Sequence, residues 1–129
     1  MENPLAMLRV LVAEDEYFIA QDITNSLALL GATVVGPVSS GNKALRAIAE
    51  LDIDAAVLDL NLEGTIDFAV ADELTRRNLP FVFATGYDPA VIPPRFARIG
   101  LFEKPFDTAE LARHLLDVMR DDPQPGASN

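Results

Sequence analysis

Short apolar segments rich in β-branched and aromatic residues alternate with longer segments of helical periodicity along this chain of 129 residues. This alternation constrains the fold more than any other feature, because strands that alternate with helices form right-handed βαβ units in a mainly parallel sheet. Most of the short segments are apolar on both faces, which is typical of strands that helices cover on both sides. The pattern predicts five strands, at residues 8–13, 33–36, 55–58, 81–84 and 101–103.

Helical periodicity predicts regular helices at residues 17–30, 40–51, 68–77 and 108–120. The region before the last strand contains Pro93 and Pro94, and a residue before proline disfavours the helical conformation, so a fourth helix there should be short or irregular. The elements together predict an α/β fold with a doubly wound five-stranded parallel sheet and five helices. The apolar positions expected to face the sheet are Ile19, Ile23, Leu27 and Leu30 in the first helix, Ala44, Ile48 and Leu51 in the second, and Leu111, Leu115 and Val118 in the last.

Length, composition and charge exclude several classes of protein. At roughly 150 residues per domain the chain is one domain, with an N-terminal extension (1–7), a folded domain (8–120) and a tail (121–129) that we expect to be disordered. A formal net charge of −10 argues against nucleic-acid or anionic-membrane partners. The absence of cysteine excludes disulfides and thiolate metal sites. No apolar run reaches the roughly 20 residues of a membrane span, so we expect a cytoplasmic protein.

Polar residues follow four of the five predicted strands. In a doubly wound sheet the ligand site lies outside the carboxyl ends of the strands, so these residues should converge at one edge. They are Glu14, Asp15 and Glu16 after the first strand, Asp59 and Asn61 after the third, Thr85, Gly86 and Tyr87 after the fourth, and Lys104 after the fifth.

The residue types at this edge predict a metal-assisted phosphoryl site. Crowded carboxylates at Glu14, Asp15 and Asp59 either raise one another's pKa or demand a cation. Oxygen ligands favour Mg²⁺, which in turn favours a phosphoryl ligand. Lys104 would supply a positive charge and Thr85 a hydroxyl for such a group. The role left for Asp59 is that of a nucleophile that forms an aspartyl phosphate.

Three other polar residues receive simpler interpretations. We interpret Glu16 as an acid that complements the dipole of the first helix, and His114 as a surface histidine. Asn61 is expected to present its backbone carbonyl, rather than its side chain, to the metal.

Four motifs resemble the receiver domain of bacterial two-component response regulators over residues 8–120. They are Val-Ala-Glu-Asp-Glu at 12–16, Leu-Asp-Leu-Asn at 58–61, Ala-Thr-Gly at 84–86 and Lys-Pro-Phe at 104–106. The resemblance implies a sheet with strand order 2-1-3-4-5 and transfer of a phosphoryl group to Asp59 from a histidine kinase or a phosphotransfer protein. It also implies Mg²⁺ bound by Asp15 with support from Glu14, and a cis peptide bond before Pro105.

A narrower similarity concerns Phe-Ala-Thr-Gly-Tyr at 83–87, which resembles the motif of stand-alone receivers called FATGUY regulators. It implies kinases of the HWE or HisKA2 type and general stress signalling in alphaproteobacteria. No output domain follows Arg120, so we expect a single-domain protein, monomeric, with dimerisation on phosphorylation as an alternative. Docking of the kinase should involve Phe18, Asp22, Pro105 and Phe106.

The family's usual aromatic switch position is Leu101 in this chain, which has no polar tip to move between inside and outside. We therefore expect Tyr87 to report on Thr85, since its amphipathic ring can bury its body or expose its hydroxyl. The alternative is that Tyr87 only shields the acyl phosphate from water.

Other functions remain open at this stage. A phosphorelay carrier, a phosphate sink and an effector are not separated by the sequence. A metal-dependent aspartyl-phosphate phosphohydrolase is an alternative, but such enzymes place an acid/base aspartate where this chain has Asn61. A nucleotide- or flavin-binding domain would need a glycine-rich phosphate loop, which the chain lacks. We therefore expect a protein that catalyses only its own phosphotransfer and dephosphorylation, not an enzyme in the usual sense.

Overall fold

The computed structural model describes residues 6–87 and 89–121. Five parallel strands form the main sheet in the order β2-β1-β3-β6-β7, and a separate antiparallel hairpin pairs β4 with β5. This is the predicted 2-1-3-4-5 order. The strands are β1 (Arg9–Ala13), β2 (Thr33–Val38), β3 (Ala55–Leu58), β4 (Asn61–Leu62), β5 (Thr65–Ile66), β6 (Phe81–Thr85) and β7 (Gly100–Glu103). The helices are α1 (Tyr17–Leu29), α2 (Gly41–Glu50), α3 (Ala69–Arg76) and α4 (Thr108–Asp121).

Alternate residues of each strand point to opposite faces of the main sheet, and both faces are covered. One core lies between the sheet, α2 and α3, and includes Leu11, Leu58 and Phe83. The other lies between the sheet, α1 and α4, and includes Val12 and Val57. Burial on both faces explains why the central strands β1, β3 and β6 are apolar at nearly every position.

The predicted weak helix is replaced by two single 3₁₀ turns, Pro89–Val91 and Pro94–Phe96. Pro93 between them is extended, with φ −60° and ψ 149°, so no continuous helix forms. The second turn is anchored, because Phe96 is buried and Arg95 lies over its ring and forms an ion pair with Asp72 of α3. The expectation of a short or irregular element is confirmed.

Some expected core positions lie elsewhere. Leu51 is 44% exposed because it adopts an extended conformation at the end of α2 and leaves the helical face. Leu30 and Val118 are only half-buried, whereas Ala20 and Leu116 join the core.

The interpretation of His114 as a surface residue is wrong. It is half-buried, with its ring 5.4 Å from that of Phe102, and it packs against Gly100, where a side chain would leave it no room.

The peptide bonds before Pro105 and Pro37 are both cis, the first as the resemblance implies. Among the described helices, none has the length and apolarity needed to cross a membrane. Apart from Asp121, which ends α4, the tail predicted to be disordered lies outside the described residues.

Candidate functional site

Side chains from four strand ends line one open pocket of about 450 Å³ at the carboxyl edge of the main sheet. The predicted convergence of these ends therefore holds. The lining residues are Asp15 and Glu16 after β1, Asp59 and Asn61 after β3, Gly86 and Tyr87 after β6, and Lys104 after β7.

Asp59 is a buried carboxylate held in one orientation. It follows β3 directly, and its N–H donates to the carbonyl of Ala13 at 2.9 Å, which joins its position to the end of β1. Its Oδ1 accepts the N–H of Asn61 at 3.0 Å, and its Oδ2 accepts the Lys104 ammonium at 3.0 Å. A carboxyl group that is 4% exposed is tolerated because both of its oxygens accept hydrogen bonds.

Lys104 is the positive centre of the site. Its Nζ lies 2.7 Å from Glu16 Oε1 and 3.0 Å from both Glu14 Oε2 and Asp59 Oδ2. Burial disfavours the ammonium, but the hydrogen bonds to Glu16, Glu14 and Asp59 outweigh it and hold the pKa of Lys104 above its ordinary value. The lysine is therefore a permanent charge at this edge of the sheet.

Glu14 is the most deeply buried of the acidic groups, with a side chain 1% exposed. Burial raises its pKa to about 7, because few polar groups replace the lost water. The N–H of Glu16 and the ammonium of Lys104 oppose that rise, whereas the neighbouring charge of Asp59 adds to it. Without a further cation, the Glu14 carboxyl therefore keeps its proton to a higher pH than an ordinary glutamate does.

Carboxylate oxygens of Glu14, Asp15 and Asp59 lie within 4.8 Å of one another. Three hard oxygen donors at this separation fit Mg²⁺, which usually takes one or two carboxylates and completes its shell with water or phosphate oxygens. Asp15 is exposed, and its Oδ2 accepts the N–H of Glu63 at 2.8 Å. That bond ties the acidic cluster to the turn of the β4–β5 hairpin.

Gly86 and Tyr87, which follow β6, form one wall of the pocket, and Thr85 precedes them without lining it. Thr85 is fully buried, and its Oγ1 accepts the N–H of Tyr87 at 3.2 Å. The Tyr87 hydroxyl accepts a hydrogen bond from Asn61 Nδ2 at 3.3 Å, so its ring lies beside the pocket and is 36% exposed. Leu101 does not line this pocket; it packs against the core under α2 and α3.

The residues expected to bind a partner lie next to the pocket. Asp22, Pro105 and Phe106 line a smaller cavity of about 180 Å³ that also touches Lys104. Phe18 is 78% exposed at the start of α1 and is not among the residues that line this cavity.

Glu16 is the site residue that sequence reasoning missed. The simpler interpretation assigned its carboxylate to the helix dipole, but the side chain makes no capping bond and binds Lys104 instead. The two residues are 88 positions apart, so only the fold brings them together. The sequence did contain a signal for this contact. The chain has only two lysines, and one of them, Lys104, follows a strand whose end should lie near the acidic residues 14–16.

Comparison with known proteins shows which family this chain belongs to. A family model described as the response regulator receiver domain matches residues 10–116. The chain is 31% identical over 120 residues to an uncharacterized response regulatory protein of Yersinia pestis, covering 89% of this chain and 50% of that protein. The chain spans about half the length of the curated relatives that it matches.

Solved structures of single receivers are similar over nearly their whole length. The solution structure of SdrG from Sphingomonas melonis Fr1 has a TM-score of 0.74 at 36% identity, covering 89% of this chain and 98% of SdrG. The BeF3-activated conformation of SdrG from Pseudomonas melonis Fr1 has a TM-score of 0.72 at 36% identity, covering 88% and 98%.

Proposed function

Since the chain belongs to the response regulator receiver family, we propose that it is a single-domain switch that accepts a phosphoryl group on Asp59 from a histidine kinase. A receiver domain is not a conventional enzyme, and the reaction modifies the protein itself. The observation that carries the proposal is the placement of Asp59. Its buried carboxylate opens on the pocket, 3.0 Å from the Lys104 ammonium and within the cluster of acidic oxygens.

The transfer itself is a substitution at phosphorus. A carboxylate oxygen of Asp59 attacks the phosphorus of a phosphohistidine, and the new O–P bond forms as the P–N bond breaks. The imidazole nitrogen leaves with the electron pair and takes a proton from water. Lys104 donates to the transferred group and offsets the negative charge on its oxygens.

Mg²⁺ would be held by Asp15, Asp59 and Glu14, with the backbone carbonyl of Asn61 as a further ligand. When bound, Mg²⁺ neutralises part of the charge of the carboxylates and of the phosphoryl oxygens. The chain's own contribution is to hold the acidic groups together in the absence of that charge. The Lys104 ammonium, which bonds Glu14 and Asp59, and the hydrogen bond from Glu63 to Asp15 both serve that purpose.

We further propose that Thr85 turns its hydroxyl towards the phosphoryl group and that Tyr87 transmits this movement. The N–H of Tyr87 is bonded to the Thr85 hydroxyl, so a rotation of Thr85 breaks a contact within the loop that carries Tyr87. The residues that follow form only two short 3₁₀ turns, which rearrange at lower cost than a regular helix. Leu101 is half-buried against the core under α2 and α3 and does not line the pocket, which supports assigning the switch to Tyr87.

The partner would bind beside α1. The cavity lined by Asp22, Pro105 and Phe106 is next to Lys104. The exposed ring of Phe18 lies on α1, the helix that also carries Asp22. A kinase or phosphotransfer helix seated there would bring its phosphohistidine to the pocket. The motif at residues 83–87 supports a kinase of the HWE or HisKA2 type and a role in stress signalling.

The test is phosphotransfer with matched variants. Wild-type protein with Mg²⁺ and a small phosphodonor is expected to gain one phosphoryl group at Asp59, located by mass spectrometry of peptides. Asp59→Asn should gain none, because an amide is not a competent nucleophile. Asp117→Asn removes one exposed carboxylate from α4, far from the pocket, and should behave as the wild type. Equal labelling of Asp59→Asn, or labelling of another residue, contradicts the proposal.

A further inference from the structure

All three donors of the Lys104 ammonium are occupied by carboxylates. A lysine side chain carries three N–H groups, and those of Lys104 meet Glu14, Glu16 and Asp59 at 3.0, 2.7 and 3.0 Å. A phosphoryl oxygen can therefore hydrogen-bond Lys104 only if one of these carboxylates gives up its place.

The three carboxylates differ in their freedom to leave. Asp59 is the acceptor itself, and if its Oδ1 carries the phosphoryl group, its Oδ2 remains a carbonyl oxygen that can still accept a hydrogen bond from Lys104. The side chain of Glu14 is 1% exposed, and its Oε2 also accepts the N–H of Glu16, so it is held on two sides. The side chain of Glu16 is 56% exposed, and within the described residues its carboxylate bonds Lys104 alone. Glu16 is thus the group that can exchange Lys104 for water.

The start of α1 offers Glu16 an alternative. Glu16 is the N-cap residue, and the first turn of the helix holds no acidic residue and no side-chain capping bond. Free N–H groups at a helix start attract a negative charge. A carboxylate that leaves Lys104 can therefore interact with the N-terminus of its own helix, which lowers the cost of leaving.

We propose that Glu16 occupies, in the resting protein, the place on Lys104 that a phosphoryl oxygen takes in the phosphorylated protein. This inference rests on the proposed role of Asp59 as the acceptor. Glu16 is a positioning residue that acts through Lys104, and no covalent bond changes in the exchange. One N–H of the ammonium moves from the Glu16 carboxylate to the phosphoryl oxygen, and the carboxylate turns towards solvent and the start of α1.

Two consequences follow from this exchange. Glu16 competes with the phosphoryl group and thereby weakens its binding. Its release also changes the surroundings of Tyr17 and Phe18, which follow it in α1 and are 71% and 78% exposed. Occupancy of the pocket is thus reported at the surface that we propose for the kinase.

The experiment compares Glu16→Gln with Glu103→Gln in the full chain. Both variants remove one negative charge, but Glu103 is exposed and adjoins Lys104 in sequence without contacting its ammonium. The probe is beryllofluoride with Mg²⁺, titrated at constant salt. Glu16→Gln should bind the probe about two- to fivefold more tightly than the wild type, equivalent to about 0.4–1 kcal/mol, the range of a largely exposed ion pair. Glu103→Gln should bind it as the wild type does.

A spectroscopic measurement tests the exchange directly. The chain has only two lysines, so the side-chain NMR spectrum of lysine-labelled protein contains the signals of Lys43 and Lys104 alone. Without the probe, the Lys104 signal should differ between the wild type and Glu16→Gln, while that of Lys43 stays the same. At saturating beryllofluoride the two Lys104 signals should coincide, because Glu16 has left the ammonium in the wild type.

Each outcome decides one of the two proposals. Equal affinity of the two variants, or Lys104 signals that differ as much in the bound state as in the free state, overturns the exchange alone. Wild-type protein that is never phosphorylated at Asp59 overturns the proposed function, and the exchange falls with it.

Discussion

Replacement of Gly36 by alanine should lower the free energy of unfolding more than the same replacement at Gly64 or Gly86. Gly36 lies in β2 with φ +102°, a conformation that residues with a side chain rarely adopt. A Cβ at this position would lie 2.7 Å from the backbone nitrogen of Val38 and 2.9 Å from the carbonyl oxygen of Val12. Both are backbone atoms of paired strands, so neither can turn aside as a side chain can.

Two other glycines separate the contributions. Gly86 has an ordinary φ and Gly64 has φ +80°, and a Cβ at either position would meet nothing within 4 Å. All three replacements reduce the entropy of the unfolded chain equally, so differences between them cancel that effect. The free energy of unfolding of Gly64→Ala should therefore be about 1–2 kcal/mol lower than that of Gly86→Ala, which is the cost of a left-handed conformation. Gly36→Ala should lose about 1–3 kcal/mol more, the cost of overpacking.

The assay is urea unfolding followed by far-UV circular dichroism, without metal. The summed loss at Gly36 is about 2–5 kcal/mol, against a total of about 5–15 kcal/mol for a typical domain, so the transition midpoint should fall markedly. Gly36→Ala with the stability of Gly64→Ala would show that β2 moves away from β1 at little cost and would refute the steric argument. Gly64→Ala with the stability of Gly86→Ala would refute the conformational one.

Four further outcomes test the site. Asp15→Asn keeps an acceptor for the N–H of Glu63 but removes a charge, so Mg²⁺ affinity measured by calorimetry should fall at least about tenfold, while metal-free thermal stability holds or rises; lower metal-free stability would count against charge crowding. Phe18→Ala should slow transfer from the kinase more than transfer from a small phosphodonor, with stability within about 0.5 kcal/mol of the wild type, since the ring is exposed; equal slowing with both donors removes the docking role. Tyr87→Ala should abolish phosphorylation-dependent partner binding with a normal phosphate lifetime, whereas a shortened lifetime with intact binding would leave Tyr87 as a shield only. The pKa of Glu14 is raised from 4.5 to about 7, so between these pH values the folded protein holds a proton that the unfolded chain has lost. The metal-free free energy of unfolding should therefore fall as pH rises from 4.5 to 7. Glu14→Gln should lack this part of the pH dependence, and an equal dependence in that variant would contradict the raised pKa of Glu14.

The centre of the main sheet was predictable because β1, β3 and β6 are buried on both faces. Each carries an unbroken apolar run that stands out from the helical periodicity around it, and the parallel arrangement then places the strand ends at one edge. The convergence of Asp15, Asp59, Tyr87 and Lys104 in one pocket needs nothing more than that rule.

The β4–β5 hairpin was not predicted, because its strands have only two residues each and its turn has a weak signature. Glu63 and Gly64 both have positive φ, at 55° and 80°. Turns of this kind usually carry asparagine or aspartate before the glycine, and a glutamate there reads as an ordinary loop. The turn is held by contacts distant in sequence, from Glu63 to Asp15 and to Ser39.

The partners of Glu16 and His114 were missed for a related reason. Each has a plausible local role: Glu16 stands at a helix start, and His114 lies on a helix. In the structure, each side chain instead contacts a residue from another part of the chain. Glu16 forms a hydrogen bond with Lys104, and the His114 ring packs into the space that Gly100 leaves by having no side chain. Local patterns do not contain such pairings.

The position of Tyr87 gives the molecule an optical probe of its own. The chain contains two tyrosines and no tryptophan, so its ultraviolet emission comes from Tyr17 and Tyr87. Tyr17 is 71% exposed on α1, and Tyr17→Phe would leave a single emitter whose hydroxyl is hydrogen-bonded to Asn61 at the mouth of the pocket. The fluorescence intensity and lifetime of that variant would follow the arrival of a cation or a phosphoryl group in real time, with no dye attached.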